Sequence, residues 1–455
     1  MRIFIFCILL SVSFPVTAQL SHSDAANLLK NKGLEELAAY DMLKDLTANV
    51  GHRLSGSDGY EKAVVWGKKE LEKAGADSVW LEPVMIPKWV RGNVERATAL
   101  CGRMQYDLTV CALGGSVGTS KDGIKSEVVE VHSFEEVKAL GSKAKGKIIF
   151  YNRAFDRTKV NTGEAYGGAV NQRTSGAIEA ARVGAIGVLV RSMTNAIDDE
   201  PHTGAMRYND SIPKIPAAAV STIDANLLSE LLHKERSVSV TLRLSAKTFA
   251  DVPSYNVIGE LRGTEFPKEI IVVGGHLDSW DKGTGAHDDG SGIVQSIEVI
   301  RLIKALKVKT KRTIRAVLYA NEENGLKGGR AYAARERNHT ENHIAAIESD
   351  AGGFLPHGFG VSTDSVRYEK IRAYGSLLEI VGADKIQRGG GGADISTLQS
   401  IGTVQIGLNP DSQRYFDYHH SNNDTIDKVH PRELELGSIA MSILAWVIAQ
   451  DGLNN

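Results

Sequence analysis

Cysteine is scarce, with three in 455 residues, and none of them falls among the candidate metal ligands picked out below. Cys7 lies in an N-terminal apolar run, which leaves Cys101 and Cys111. The span between them is short enough for a hairpin-like disulfide in an oxidising compartment, and two buried thiols are the equal alternative. An excess of charge of one sign is also lacking, since 53 basic against 55 acidic residues give a formal net charge of −2. No global basic field therefore draws the chain to nucleic acid or anionic lipid. Beyond the N-terminus no stretch qualifies as a membrane span. The apolar run 439–449 continues a pattern containing Glu433, Glu435 and Gln450, and reads as an amphipathic C-terminal helix with Pro431 in its first turn.

What is present is the balance of a soluble globular protein, 42% hydrophobic and 24% charged, with enough apolar residues for a sizeable core. The length points to two domains. Met1-Arg2 gives a short positive start, residues 3–14 are mostly apolar, and Val16-Thr17-Ala18 supplies small residues at a cleavage site. Residues 1–18 thus read as a cleaved secretory signal, which implies a secreted or periplasmic address.

Three textures follow along the chain. Residues 23–75 look helical, interrupted by the turn-rich loop Gly51-His52-Arg53-Leu54-Ser55-Gly56-Ser57, and residues 79–111 turn strand-like. Residues 112–245 mix short strands (147–151, 185–190, 238–244) with helices (175–183, 222–233) and lack any cluster of metal-ligand residues. They read as an inserted, non-catalytic domain between segments 19–111 and 246–455 of one larger unit. From Tyr255 onward, apolar strands at 270–273, 313–320, 344–347 and 403–408 alternate with helices. That alternation predicts an α/β fold with a mostly parallel mixed sheet flanked by helices.

In such sheets function collects just beyond the carboxyl ends of the strands. The first strand runs into Gly274-Gly275-His276-Leu277-Asp278 and a loop reaching Ala286-His287-Asp288-Asp289-Gly290. The second ends in Asn321-Glu322-Glu323-Asn324, the third in Glu348-Ser349-Asp350-Ala351-Gly352, and the fourth leads to His419-His420-Ser421. Singly, each motif is a turn, a helix start or a surface pair. Together they gather imidazoles and carboxylates at one end of one sheet. Buried carboxylates in that number repel one another unless a cation neutralises them. Two imidazoles and three carboxylates suit a pair of zinc ions, with one carboxylate bridging, although manganese or cobalt also fit oxygen-rich sites.

These motifs, in this order, resemble those of the co-catalytic dizinc exopeptidases of metallopeptidase family 28, which include bacterial aminopeptidases. The resemblance runs over nearly the whole mature chain. It implies that Asp288 bridges the metals, with His276 and Asp350 completing one site and Glu323 and His420 the other. His420 is preferred to His419 because the family places His directly before Ser or Thr. Glu322 would be the general base and Asp278 would fix the ring of His276. His287, before the bridging aspartate, is expected to pack outward. Asp394 in its glycine-rich loop, Tyr415 and His419 are expected at the substrate pocket, with a helix N-cap as the other reading of Asp394. The segment 112–245 resembles a protease-associated domain, and a homodimer is implied. The function expected is hydrolysis of dipeptides or short peptides from one end. A receptor-like binding protein on the same scaffold would have lost ligands that are all present here. A mononuclear, cyclase-like relative would be shorter and lack the insert.

Overall fold

The computed structural model describes residues 20–234, 237–336 and 340–453; the expected signal segment 1–18 lies outside them. Eight strands form the main sheet in the order Ser78–Val90, Lys247–Leu261, Arg312–Tyr319, Phe266–His276, Asn342–Glu348, Val404–Pro410, Pro356–Ser362 and Lys385–Arg388. Arg312–Tyr319, Phe266–His276, Asn342–Glu348 and Val404–Pro410 run mutually parallel at the centre. These are the four strands whose ends carry the motifs.

Their continuous apolar runs have a physical reason, since both faces of the sheet are covered. Ile271 and Val273 pack with Ile293 and Ile297 of helix Ser291–Ala305 and with Trp446 of helix Pro431–Asp451. Ile270 and Val272 point the other way, to Tyr332 and Leu398. The C-terminal helix opens on Pro431 and is long and apolar enough to cross a membrane, yet 89% of its apolar window is buried inside the protein. It is a core helix. Strand Phe266–His276 lies between its successors Arg312–Tyr319 and Asn342–Glu348, so the winding direction reverses there and leaves a crevice at the carboxyl ends.

A second eight-stranded sheet has the order Met104–Leu108, Glu95–Cys101, Val238–Leu244, Ile124–Val131, Ile148–Tyr151, Gly187–Arg191, Ala217–Val220 and Val110–Ala112. The boundary expected at 112 is therefore misplaced. Glu95–Cys101 pairs along its length with Val238–Leu244, and Val110–Ala112 pairs with Ala217–Val220. Alternation marks a strand without saying which sheet receives it. Cys101 and Cys111 are both free and buried, in different apolar clusters, and burial pushes the Cys111 thiol up to about 12.

The two sheets meet beside the crevice. Trp280 is 2% exposed, with its ring 6.4 Å from that of Trp89. It sits so close to Gly114 that a Cβ there would lie 1.8 Å from the Trp280 ring. The buried Arg91 guanidinium binds Asp281 at 2.5 and 2.9 Å, Glu95 at 3.0 Å and the Thr203 hydroxyl at 3.1 Å. Gly114→Ala should therefore destabilise the protein by about 1–3 kcal/mol or more through overpacking. Gly167→Ala, where a methyl meets nothing within 4 Å, should be neutral or stabilising by up to about 1 kcal/mol. Urea unfolding of the two variants checks this.

Candidate active site

His276 ends its strand, and its backbone N–H donates to Asp289 Oδ2 at 3.1 Å. Gly275 makes room for that bond, because a Cβ there would fall 2.3 Å from the same oxygen. The His276 Nδ1 is paired with the Asp278 carbonyl at 2.9 Å, which turns Nε2 toward Asp288 Oδ1 at 3.3 Å and Asp350 Oδ1 at 3.4 Å. Asp278 meets the His276 ring through its carbonyl rather than its carboxylate. Its Oδ1 is 3.7 Å from the ring nitrogen and instead accepts from the Glu322 backbone N–H at 3.0 Å, while Oδ2 accepts from Ser55 at 2.9 Å. The ring is held by main chain, and the carboxylate anchors the Glu322 loop.

Asp288 lies in the tight turn Ala286–Gly290 ahead of the helix Ser291–Ala305. Its Oδ1 faces His276 and its Oδ2 faces His420 Nε2 at 3.2 Å. His420 Nε2 is also 3.1 Å from Glu323 Oε2, and Glu323 Oε1 accepts from the Trp280 backbone N–H at 3.2 Å. The other ring nitrogen of His420 is 3.3 Å from the Thr203 carbonyl, with Arg173 Nη1 3.4 Å away. Asn321 and His420 both take φ near +63°, a left-handed conformation uncommon outside glycine that Asn and His adopt more readily than most residues.

Donor atoms of His276, Asp288 and Asp350 form one group within 4.8 Å, and those of Asp288, His419 and His420 a second. Glu323 joins the second group through His420. The buried Asp288 Oδ2 accepts no hydrogen bond from any described residue, although an imidazole nitrogen faces it. Two such nitrogens aimed at one carboxylate fit a divalent cation on each side. His419 lies 3.7 Å from Asp288 Oδ2 and stacks on His420 at 3.4 Å, without reaching Glu323 at ion-pair distance.

Without a cation the cluster is electrostatically tense. Burial pushes the Glu323 carboxyl up to about 7, and the nearby Asp288 charge adds to the rise. Burial also lifts Glu322 well above the carboxylate range, reinforced by Asp350, Glu323 and Asp278. Burial would lower His420, but the charges of Glu323 and Asp288 prevail and hold it at about 9. His419, buried and beside His420, stays well below the usual value. Bound dications would reverse much of this by favouring deprotonated ligands.

Other expected residues fall elsewhere. Asp394 is fully buried at the N-cap position of the turn Ile395–Ile401, where its side chain makes no capping bond and neither carboxylate oxygen is hydrogen-bonded. Burial and the neighbouring Glu348 push it well above the usual carboxyl range. Tyr415 does line the cavity beside Asp350. His287 packs inward, correcting the expectation that it faces out. It stacks on Phe354 at 4.3 Å and Tyr418 at 5.5 Å, and its Nδ1 accepts from the Gly353 N–H at 3.2 Å. Three residues not singled out from the sequence support the site. Asp424 accepts from the backbone N–H groups of His287 and Asp288 at 2.7 and 3.1 Å. Arg53 donates to the carbonyls of Leu277, Thr284 and Gly285 at 2.7–2.9 Å. Ser55 holds Asp278. Arg53 and Ser55 sit in the turn-rich loop 51–57, the one hint available.

Fold and site together define a metallopeptidase of α/β type, and residues 256–445 match the model of peptidase family M28. The chain belongs to that family. It is 36% identical to carboxypeptidase Q from Homo sapiens and from Bos taurus over 417 residues, 92% of this chain and 86% of each of those proteins. A solved peptidase M28 precursor from Shewanella amazonensis is 35% identical, with a TM-score of 0.91 over 95% of this chain and 98% of that one. A zinc aminopeptidase from Bacillus subtilis shares the fold at 20% identity, with a TM-score of 0.66 over 91% of this chain and 96% of its own. These relatives support a metallo-exopeptidase.

The metal-free protein should lose stability as pH rises from about 6.5 to about 9. In that window His420 and Glu435, both held at about 9, keep protons that the unfolded chain releases. Below 6.5, His202 and His287, depressed by burial to about 4, act in the opposite sense. Zinc should flatten the slope above pH 6.5, because ligated His420 no longer carries its proton. Thermal midpoints across that range, with chelator and with zinc, measure this.

Proposed function

We propose that this protein is a dizinc exopeptidase that hydrolyses dipeptides or short peptides, with Glu322 as general base. The observation that carries the reading is Asp288, whose two oxygens each face one imidazole, at 3.3 Å and 3.2 Å. His276 and Asp350 would hold one ion, Glu323 and His420 the other, with Asp288 shared. When bound, the ions supply the positive charge that acidifies a water and polarises the scissile carbonyl.

The chain's own groups do the rest. The Glu322 carboxylate makes no hydrogen bond or ion pair among the described residues, while its backbone is pinned by Asp278. It is a tethered, uncommitted base, suited to take a proton from the attacking water and return it to the leaving amine. His419 keeps a neutral ring beside the bridging carboxylate, suited to polarise the substrate carbonyl. Tyr415 and the aromatic wall around it position the substrate and limit water. The second sheet, read as a protease-associated insert, bears on the site through Thr203 and Arg173. Residues 1–18 are read as a secretory signal, giving a secreted or periplasmic enzyme.

Glu322→Gln, assayed beside the wild type with metal content determined, should keep about two zinc ions per chain and lose about a hundredfold or more in kcat. A metal content near one per chain would favour a mononuclear relative. Retained metal with no hydrolysis of any short peptide by the wild type would move a binding function to the front.

A further inference from the structure

A cavity of about 610 Å³ opens directly beside the metal-site carboxylate Asp350, a volume typical of a small-molecule site. Tyr415 and Phe416 give its lining apolar surface, and Lys385, Gln387, Asn409 and Asn161 add polar side chains. Asp350 is the one acid among the lining residues, and its charge is committed to the metal site.

The polar side chains of this lining are uncommitted. Lys385, Gln387 and Asn409 make no side-chain hydrogen bond or ion pair among the described residues. Lys385 and Gln387 lie two apart on the edge strand Lys385–Arg388, with buried Ile386 between them, so both emerge on one face. Asn161 uses its Oδ1 to cap the helix Thr162–Ala169 by accepting from Gly163 at 2.9 Å, which leaves its amide N–H groups free. An ammonium and several amide donors thus line one open cavity. The ligand chemistry that satisfies such a lining is a small anion with several acceptor lone pairs, and the group of that kind on a peptide is a carboxylate.

We propose that this cavity receives the residue on the leaving side of the scissile bond, and that Lys385, with Gln387 and Asn409 beside it, binds that residue's carboxylate. This rests on the peptidase reading above and extends it to the substrate class. A peptide with its reacting amide at Asp288 and Asp350 and its leaving residue in the cavity turns a carboxylate toward Lys385. The carboxylate has two sources, the free α-carboxylate of a C-terminal residue or an acidic side chain. With the first source, the enzyme prefers dipeptides and free C-termini. Lys385 is a specificity residue in this scheme and takes no part in the proton transfers.

The test uses the zinc-loaded full chain and four peptides: an unblocked neutral dipeptide, its C-terminal amide, and the same pair with glutamate as second residue. The wild type should favour the free dipeptide over its amide. Lys385→Ala should raise KM for the free dipeptide about tenfold with kcat within about twofold, the pattern of lost uniform binding, and should level dipeptide and amide. Lys385→Arg should restore most of the preference, and Lys385→Glu should reverse it. Loss of preference confined to the glutamate pair would also support the proposal and assign the carboxylate to the side chain. Unchanged ratios for all four peptides in Lys385→Ala would overturn it. If the wild type cleaves none of them, the peptidase reading fails separately. Calorimetric binding of the free dipeptide and its amide to wild type and Lys385→Ala then decides the role of Lys385, with equal affinities counting against it.

Discussion

One buried carboxylate, Asp288, sets the terms for everything around it. Its oxygens face two imidazoles on opposite sides, and two further carboxylates, Asp350 and Glu323, approach the same rings. So much like charge in a region closed to water is unfavourable by itself, and a pair of cations turns the same arrangement into an attractive one. Such a cluster has to be held in place by its surroundings. The backbone of Asp288 is held by Asp424, and the preceding loop is tied down by the buried Arg53, which spends its guanidinium on three carbonyls. Fully satisfied buried polar networks of this kind specify geometry strongly, because any displacement leaves a donor or acceptor unpaired.

The parts of this arrangement legible in the sequence are the local ones. Each ligand lies within a few residues of an apolar run, except His420, which follows its strand by ten residues, and the parallel sheet brings four strand ends together. That suffices to identify His276, Asp288, Glu323, Asp350 and His420 as neighbours. The supporting contacts are not local. Arg53 and Ser55 act across more than 220 residues, and Asp424 across more than 130. Backbone carbonyls such as those of Asp278 and Thr203 carry no side-chain signal at all. His287 misleads for a related reason, since its loop reads as surface while the fold buries it. The sheet boundary at Glu95 was hidden because strand alternation looks the same whichever sheet accepts the strand.

The second sheet is more than a cover. Its loop carries Thr203, whose carbonyl faces the outer nitrogen of His420, and His202, whose ring pairs with the carbonyl of His419 at 2.7 Å. Arg173, 6% exposed, lies against the same imidazole. Orientation of a ligand ring through its second nitrogen fixes which face it offers to a metal. A chain segment without ligands of its own therefore helps to set the geometry of one that has them.

Trp280 has two attachments that point in opposite directions. Its ring is wedged into the second sheet at Gly114, and its backbone N–H is bonded to Glu323. A shift of the second sheet against the first is therefore passed through one residue, Trp280, to the carboxylate of Glu323.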